Sequence, residues 1–194
     1  MTTSPLASVS PGRRDQILTT AAQLFAARGF HGVSVADLGA ACGISGPALY
    51  KHFASKDAVL AEMLVSISRR LLEVGRERVS SAADAPAAVE ALVRWHVTFA
   101  LDHRALIVVQ DRDWESLPAQ AREQVRTLQR EYVDLWATAL QRVHAGLSVD
   151  AARATAHAAF GLINSTPHSG LLPDVSMQEL LAEMAMGALG LRAN

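Results

Sequence analysis

Apolar positions recur at helical spacing along most of the chain, and no stretch alternates as a strand would. In residues 13–28, Ile17, Ala21, Leu24, Phe25 and the aliphatic stem of Arg28 mark one buried side. Gly29 ends that helix. Val35, Leu38 and Cys42 give a short second helix a core face, and Gly43 stops it where a left-handed residue is easiest to place. Leu49 and Phe53, four apart, turn the third helix back toward Leu38 and Ile44. A long fourth helix follows over about 56–79, with Val59, Leu60, Met63, Leu64, Ile67, Leu71 and Leu72 inward. The segment 80–86 is a break, with Asp84 or Pro86 opening a fifth helix that runs to about 102. A sixth spans about 104–114 and a seventh 118–144, the latter burying Val125, Leu128, Tyr132, Leu135, Trp136 and Leu140. Gly146 ends it, Ser148 opens an eighth helix reaching about 165, and 166–173 is turn-rich before a last helix over about 176–191. The pattern predicts an all-α fold of about nine helices without internal repeats. Its expected parts are an arm at 1–12, a head at 13–57 and a helical body at 58–194.

The head carries the most specific local chemistry. Ser34 is a good N-cap with Asp37 three residues on, and Ser45 caps the next helix with Pro47 in its first turn. Two short helices joined at a glycine, the second capped and amphipathic, describe a helix-turn-helix. The run Gly43-Ile44-Ser45, then Leu49-Tyr50, His52-Phe53 and Ser55-Lys56-Asp57, resembles the DNA-binding signature of the TetR family of one-component repressors. Ala22, Leu24-Phe25-Ala26 and Arg28-Gly29-Phe30 are similar to that family's first helix and its exit. The resemblance covers about residues 13–60; beyond them it is one of architecture.

In such a motif the second helix enters the major groove with its N-terminal residues toward the bases. Here these are Ser45, Gly46, Pro47 and Ala48, three of which lack a hydrogen-bonding side chain. Readout therefore leans on Tyr50, Lys51 and His52, with Pro47 or Ala48 against thymine methyls. The resemblance implies phosphate contacts at Ser34, Tyr50 and Lys56, so that Lys56→Ala would reduce the salt slope of binding by about one. Gly46-Pro47 departs from the longer polar side chain common in the family. Arg13 and Arg14 are read as solvated, with an arm that could reach the minor groove.

Composition narrows the remaining possibilities. Half the chain is hydrophobic but only 5% is aromatic, which reflects heavy alanine use and favours close helix packing. Net charge is −1, yet 1–60 holds Arg13, Arg14, Arg28, Lys51 and Lys56 against Asp15, Asp37 and Asp57. The basic excess thus falls on the head, which contains both lysines of the chain. No run approaches the ~18 apolar residues of a transmembrane helix, residues 1–12 lack the pattern of a signal peptide, and Cys42 is alone. A cytoplasmic protein without membrane contact or cofactor is expected. Gly-x-Ser-x-Gly, a phosphate-cradling glycine loop and a paired-His motif are absent, so an enzyme is not expected.

The body suggests two further sites. Ala151, Thr155, Ala158, Ala159 and Leu162 give a small-residue face, and Leu180, Leu181, Met184 and Ala188 a partner for it, suited to a four-helix homodimer interface. By the resemblance, the region between head and interface is an effector pocket. Its candidates are Trp95, His96, Phe99, His103 and Trp114, joined by Trp136, His157, Phe160 and Asn164. They fit a mainly apolar small molecule, with a lipophilic acyl chain or acyl thioester as the leaning. His96 and His103 lie seven residues apart, ~10 Å along a helix, too far to share one metal ion unaided. The implied function is a ligand-released repressor on an inverted-repeat operator, the effector shifting the helix at 56–79. The alternative is an activator or co-regulator without small-molecule input.

Overall fold

The side-chain caps anticipated from the sequence set most helix starts in the computed structural model, which describes residues 12–191. The arm expected at 1–12 therefore lies outside the described residues except for Gly12, the N-cap of α1 (Arg13–Arg28). Ser34 Oγ accepts from Asp37 N at 3.1 Å and starts α2 (Val35–Ala41), while Ser45 Oγ accepts from Ala48 N at 3.3 Å and starts α3 (Gly46–Leu49). Ser55 caps α4 (Lys56–Ser80) and Asp84 caps α5 (Ala85–Asp102), which has a proline in its first turn. The chain continues through α6 (Arg104–Asp113), a 3₁₀ turn (Trp114–Ser116) and α7 (Ala119–Val143). Ser148 caps α8 (Val149–Ile163), a second 3₁₀ turn (Thr166–His168) follows, and α9 (Asp174–Ala188) ends the described fold. Among the described residues there are nine α-helices and no strand.

α3 is shorter than the spacing of Leu49 and Phe53 predicts. After Leu49 the chain tightens, with Lys51 N bonded to Ala48 O at 3.2 Å and His52 N to Leu49 O at 2.9 Å. Helices of seven and four residues do not stand alone in water, so burial must hold them. Leu38, Leu49 and Phe53 are buried, each such side chain contributing about 1.5–3 kcal/mol.

Two cores organise the molecule. The first joins Ile17, Phe25, Phe30, Leu38, Leu49 and Phe53 to Val59, Leu60, Met63 and Leu64 of α4, and to Val109, Leu117 and Val125. The head thus shares its core with the first turns of α4 and with parts of α6 and α7. The second gathers α5, the remainder of α7, α8 and α9 around Trp136, Leu140, Ala156 and Ile163. α4 runs through both, with Leu72 in the second.

Candidate functional site

The helix-turn-helix is fixed by one close approach and one positive φ. Gly43 has φ +65°, and the chain turns there so that Ile44 N bonds to Gly39 O at 2.9 Å. A Cβ on Gly39 would lie 2.8 Å from Ile44 O and 3.0 Å from Gly46 N, so this α2 position must be bare for α3 to dock. Ser45, Pro47, Tyr50 and Lys51 are exposed on the resulting surface, Tyr50 at 55%. Gly46, Ala48 and His52 are half-buried. Ser34 is exposed, but its hydroxyl and amide both bond to Asp37 Oδ2, at 2.5 and 2.8 Å. These bonds, with help from Arg28, hold the Asp37 carboxyl below its usual carboxylate value.

The basic residues around this surface correct the sequence expectation. Lys56 Nζ donates to Phe30 O and Val33 O, each at 2.8 Å, and lies 4.2 Å from the Phe30 ring centroid. It ties α4 to the α1–α2 link rather than standing free for a phosphate. Arg14 is not merely solvated: its guanidinium pairs with Glu62, donates to His52 O and covers the Phe53 ring at 4.3 Å. That pairing raises its already high pKa. Arg13 Nη2 donates to Cys42 O at 2.7 Å, holding the end of α2. Lys56→Ala is therefore expected to lower unfolding free energy by about 1–3 kcal/mol through two lost charge-assisted bonds. Operator affinity should fall through displacement of the head, with a salt slope that stays within half a contact of the parent. A slope reduced by a full unit with unchanged stability would restore Lys56 to the DNA footprint.

In the body, a cavity of about 250 Å³ opens between α4, α5, α6, α7 and α8. Of the pocket candidates, His96, Phe99, His157, Phe160 and Asn164 line it. Ile67, Ser68 and Leu71 of α4, Leu106, Ile107, Gln110 and Asp111 of α6, and Leu128, Gln129, Tyr132 and Val133 of α7 complete the wall. Trp136 is fully buried behind it, edge-on to Phe160 at 5.0 Å, and does not line it. Trp95 donates from Nε1 to Leu71 O at 3.0 Å and braces α5 on α4 outside the cavity. His103 packs on Phe99 at 4.8 Å, outside the wall, and burial is the main cause of its lowered pKa. Trp114 packs with the head's core, under the Arg126 guanidinium at 5.6 Å, because the chain has left α6 for the 3₁₀ turn. Among the described residues no group of three or more His, Cys, Asp or Glu could hold a metal.

His96 is the polar centre of this wall. Its Nε2 meets Asn164 Oδ1 at 3.2 Å, its Nδ1 is buried without a partner, and burial lowers its pKa to about 4. The unfolded chain binds a proton there near pH 6.5 and the folded chain does not until about pH 4, so acid favours unfolding. Stability is full above pH 6.5 and should fall by about 2 kcal/mol by pH 5 from this residue alone. His103 adds to the loss in the same direction. Denaturation of His96→Gln against the parent at pH 7 and pH 5 isolates the effect; parallel curves would show that His96 is not buried neutral.

α6 joins cavity and head. Arg112 follows the wall residue Asp111 and reaches the C-terminal end of α1, donating from Nη1 to Ala26 O at 3.0 Å and from Nη2 to Phe25 O. Phe25 O also accepts from Gly29 N at 2.8 Å, and a cation beside the last carbonyls of a helix is favoured by the helix dipole. Asp113, its carboxylate 7% exposed, receives the same guanidinium at 3.1 Å. The acidic and basic run around Arg112 reads in sequence as a charged helix end; nothing local announces that α1 packs against it.

The expected dimer face divides. Ala151, Ala158, Leu180, Met184 and Ala188 are exposed, and Thr155 and Leu162 are half-buried. Ala159 and Leu181 are instead buried within their own chain, in the second core, because each lies on its helix's inward side. Exposed Leu171 and Leu172 flank Leu162, Leu180 and Met184 in one apolar groove. Among the described residues no helix is long and apolar enough to cross a membrane.

Comparison with known proteins agrees with this layout. The family profile described as bacterial regulatory proteins, tetR family, matches residues 17–63. The profile described as tetracyclin repressor-like, C-terminal domain, matches residues 82–186. The HTH-type transcriptional repressor KstR2 of Rhodococcus jostii (strain RHA1) is 34% identical over 131 residues, 67% of this chain and 64% of that protein. The chain thus matches a little under two thirds of that relative's length. A TetR-family transcriptional regulator from Bordetella parapertussis 12822 superposes with a TM-score of 0.80 at 26% identity, over 91% of this chain and 95% of that one. The regulator FadR from Bacillus subtilis, solved in complex with stearoyl-CoA, shares the fold at a TM-score of 0.70 and 16% identity, over 89% and 97% of the two chains.

Proposed function

Because the chain belongs to the TetR family of bacterial regulatory proteins, we propose that it is a dimeric DNA-binding repressor released by a small, mainly apolar effector. The observation that carries this reading is the double duty of α6. Gln110 and Asp111 border the cavity, and Arg112 grips α1 of the head. A ligand that displaces α6 also pulls on the helix behind the reading surface. α4 offers a parallel route, since Ser68 and Leu71 border the cavity while Val59 and Leu60 lie in the head's core. Sequence recognition falls to Ser45, Pro47, Tyr50 and Lys51, with Gly46 and Ala48 permitting close approach of the backbone to the groove.

One head reads one half-site, so two copies related by a two-fold axis read an inverted repeat. Half-sites about 34–36 Å apart tolerate little change in head spacing, which lets a modest helix shift release the operator. The exposed apolar groove of Leu162, Leu180 and Met184 supports pairing through α8 and α9. Leu180→Glu is expected to yield a monomer by sedimentation and to weaken retention of DNA flanking the gene by at least tenfold, as lost bivalency requires. A monomeric parent with undiminished specific DNA binding would overturn the dimer reading.

A further inference from the structure

Two residues of the cavity wall, His96 and Tyr132, each hold a buried polar atom without a hydrogen-bond partner. Asn164 Oδ1 is an acceptor, so the hydrogen of the neutral His96 ring sits on Nε2 and leaves Nδ1 with a bare lone pair. That nitrogen is buried and has no partner. Tyr132 Oη is buried too and lacks a partner at full hydrogen-bonding geometry; burial raises the phenol's pKa, outweighing the opposing influence of the neighbouring Trp136 indole N–H, which can only donate and so leaves the phenol hydrogen free. The two rings stand 5.6 Å apart between centroids, with Phe160 4.7 Å from His96 and stacked at 5.5 Å on Tyr132. A group that both gives a hydrogen and offers a lone pair would answer both atoms, and an apolar body would answer the rings.

Size and charge narrow the class. A cavity of about 150 Å³ holds benzene, so the 250 Å³ here suits a molecule of one or two rings, below the range of drug-sized sites. No lysine or arginine lines the wall, whereas Asp111 adds a carboxyl group to it. A carboxylate or a phosphate-bearing ligand would meet no lysine or arginine there.

Taking the cavity as the effector site, on which this inference rests, we infer that the effector is a compact, uncharged, ring-bearing molecule with a hydroxyl that donates to His96 Nδ1 and accepts from Tyr132 Oη. An acyl thioester of coenzyme A does not meet that description, which departs from the acyl leaning drawn from sequence.

The test is calorimetric titration of the full-length protein at pH 7.5 with 4-propylphenol, propylbenzene, 4-propylbenzoate and octanoyl-CoA. Saturable binding of 4-propylphenol is expected, at least tenfold tighter than propylbenzene, with no saturable binding of the two anions. Tyr132→Phe removes one oxygen at constant shape and should narrow the gap between phenol and hydrocarbon severalfold; His96→Leu should do the same. Equal binding of phenol and hydrocarbon, tighter binding of either anion, or binding of none of the four overturns the inference. A gel-shift without ligand separates it from the regulator reading. Specific DNA retention alongside any of these failures sinks the ligand chemistry alone, whereas the expected ranking without DNA retention sinks the regulator reading alone.

Discussion

Arg112→Met is expected to lower the unfolding free energy by about 2–4 kcal/mol. Three losses combine. The carbonyls of Phe25 and Ala26 lose a charged donor, although Phe25 O keeps its bond from Gly29 N, and the carboxylate of Asp113 loses its cation while staying 7% exposed. Removing one partner of a buried pair typically costs about 3–5 kcal/mol. The Arg112 side chain is 42% exposed, so solvent screens part of its charge and the lower end applies. Arg112→Met combined with Asp113→Asn should recover a good part of the loss, because the uncompensated carboxylate is gone while the α1 carbonyls still lack the guanidinium. Urea denaturation of the two variants measures this. A single variant within about 0.5 kcal/mol of the parent would mean that the guanidinium is a surface contact, and α6 would lose its tie to the head.

Gly39→Ala is the second. The new methyl would stand 2.8 Å from Ile44 O, 3.0 Å from Gly46 N and 3.2 Å from Ser45 C. All three are backbone atoms, so no rotamer change relieves the contact and the turn must part from α2. A cost of about 1–3 kcal/mol follows from overpacking, and the tilt of α3 should reduce operator affinity at least tenfold. Gly46→Ala is the matched control for stability, since a Cβ there meets nothing within 4 Å. Its melting temperature should equal or exceed the parent's, because alanine is the better helix former. Thermal melts of both, followed by gel-shift of Gly39→Ala below its melting temperature, separate folding from reading. A Gly39→Ala protein with parental stability and affinity would show that α2 and α3 are not held in this register.

The elements were legible because their signals are local. Ser34, Ser45, Ser55, Asp84 and Ser148 cap the helices whose starts they mark in the sequence, and Gly43 turns the chain as its type suggests. The roles of long charged side chains were not legible. Lys56 reads as a free cation beside a DNA-binding motif, yet its partners are carbonyls 26 and 23 residues away. Arg14 finds Glu62 at a separation of 48 residues, and Arg112 finds Phe25 at 87. Such pairs depend on which helices touch, which spacing does not encode. Among the pocket candidates, residue type selected aromatics, but facing decided membership. Trp136 lies one layer behind Phe160, and Trp114 falls past the end of α6. Tyr132 and Ser68 line the cavity although the first reads as core and the second attracts no notice. On α8, alanine occupies the inward and outward sides alike, so size could not distinguish Ala158 from Ala159.

A two-fold dimer that reads a specific DNA sequence can be challenged by selection from a randomised duplex library with the purified protein, in defined salt. Enrichment of an inverted repeat is expected, with half-site centres about one helical turn apart and affinity lost in Gly39→Ala and Leu180→Glu. Retention of duplexes without sequence enrichment, or of none at any salt, would rule out a dimeric sequence reader.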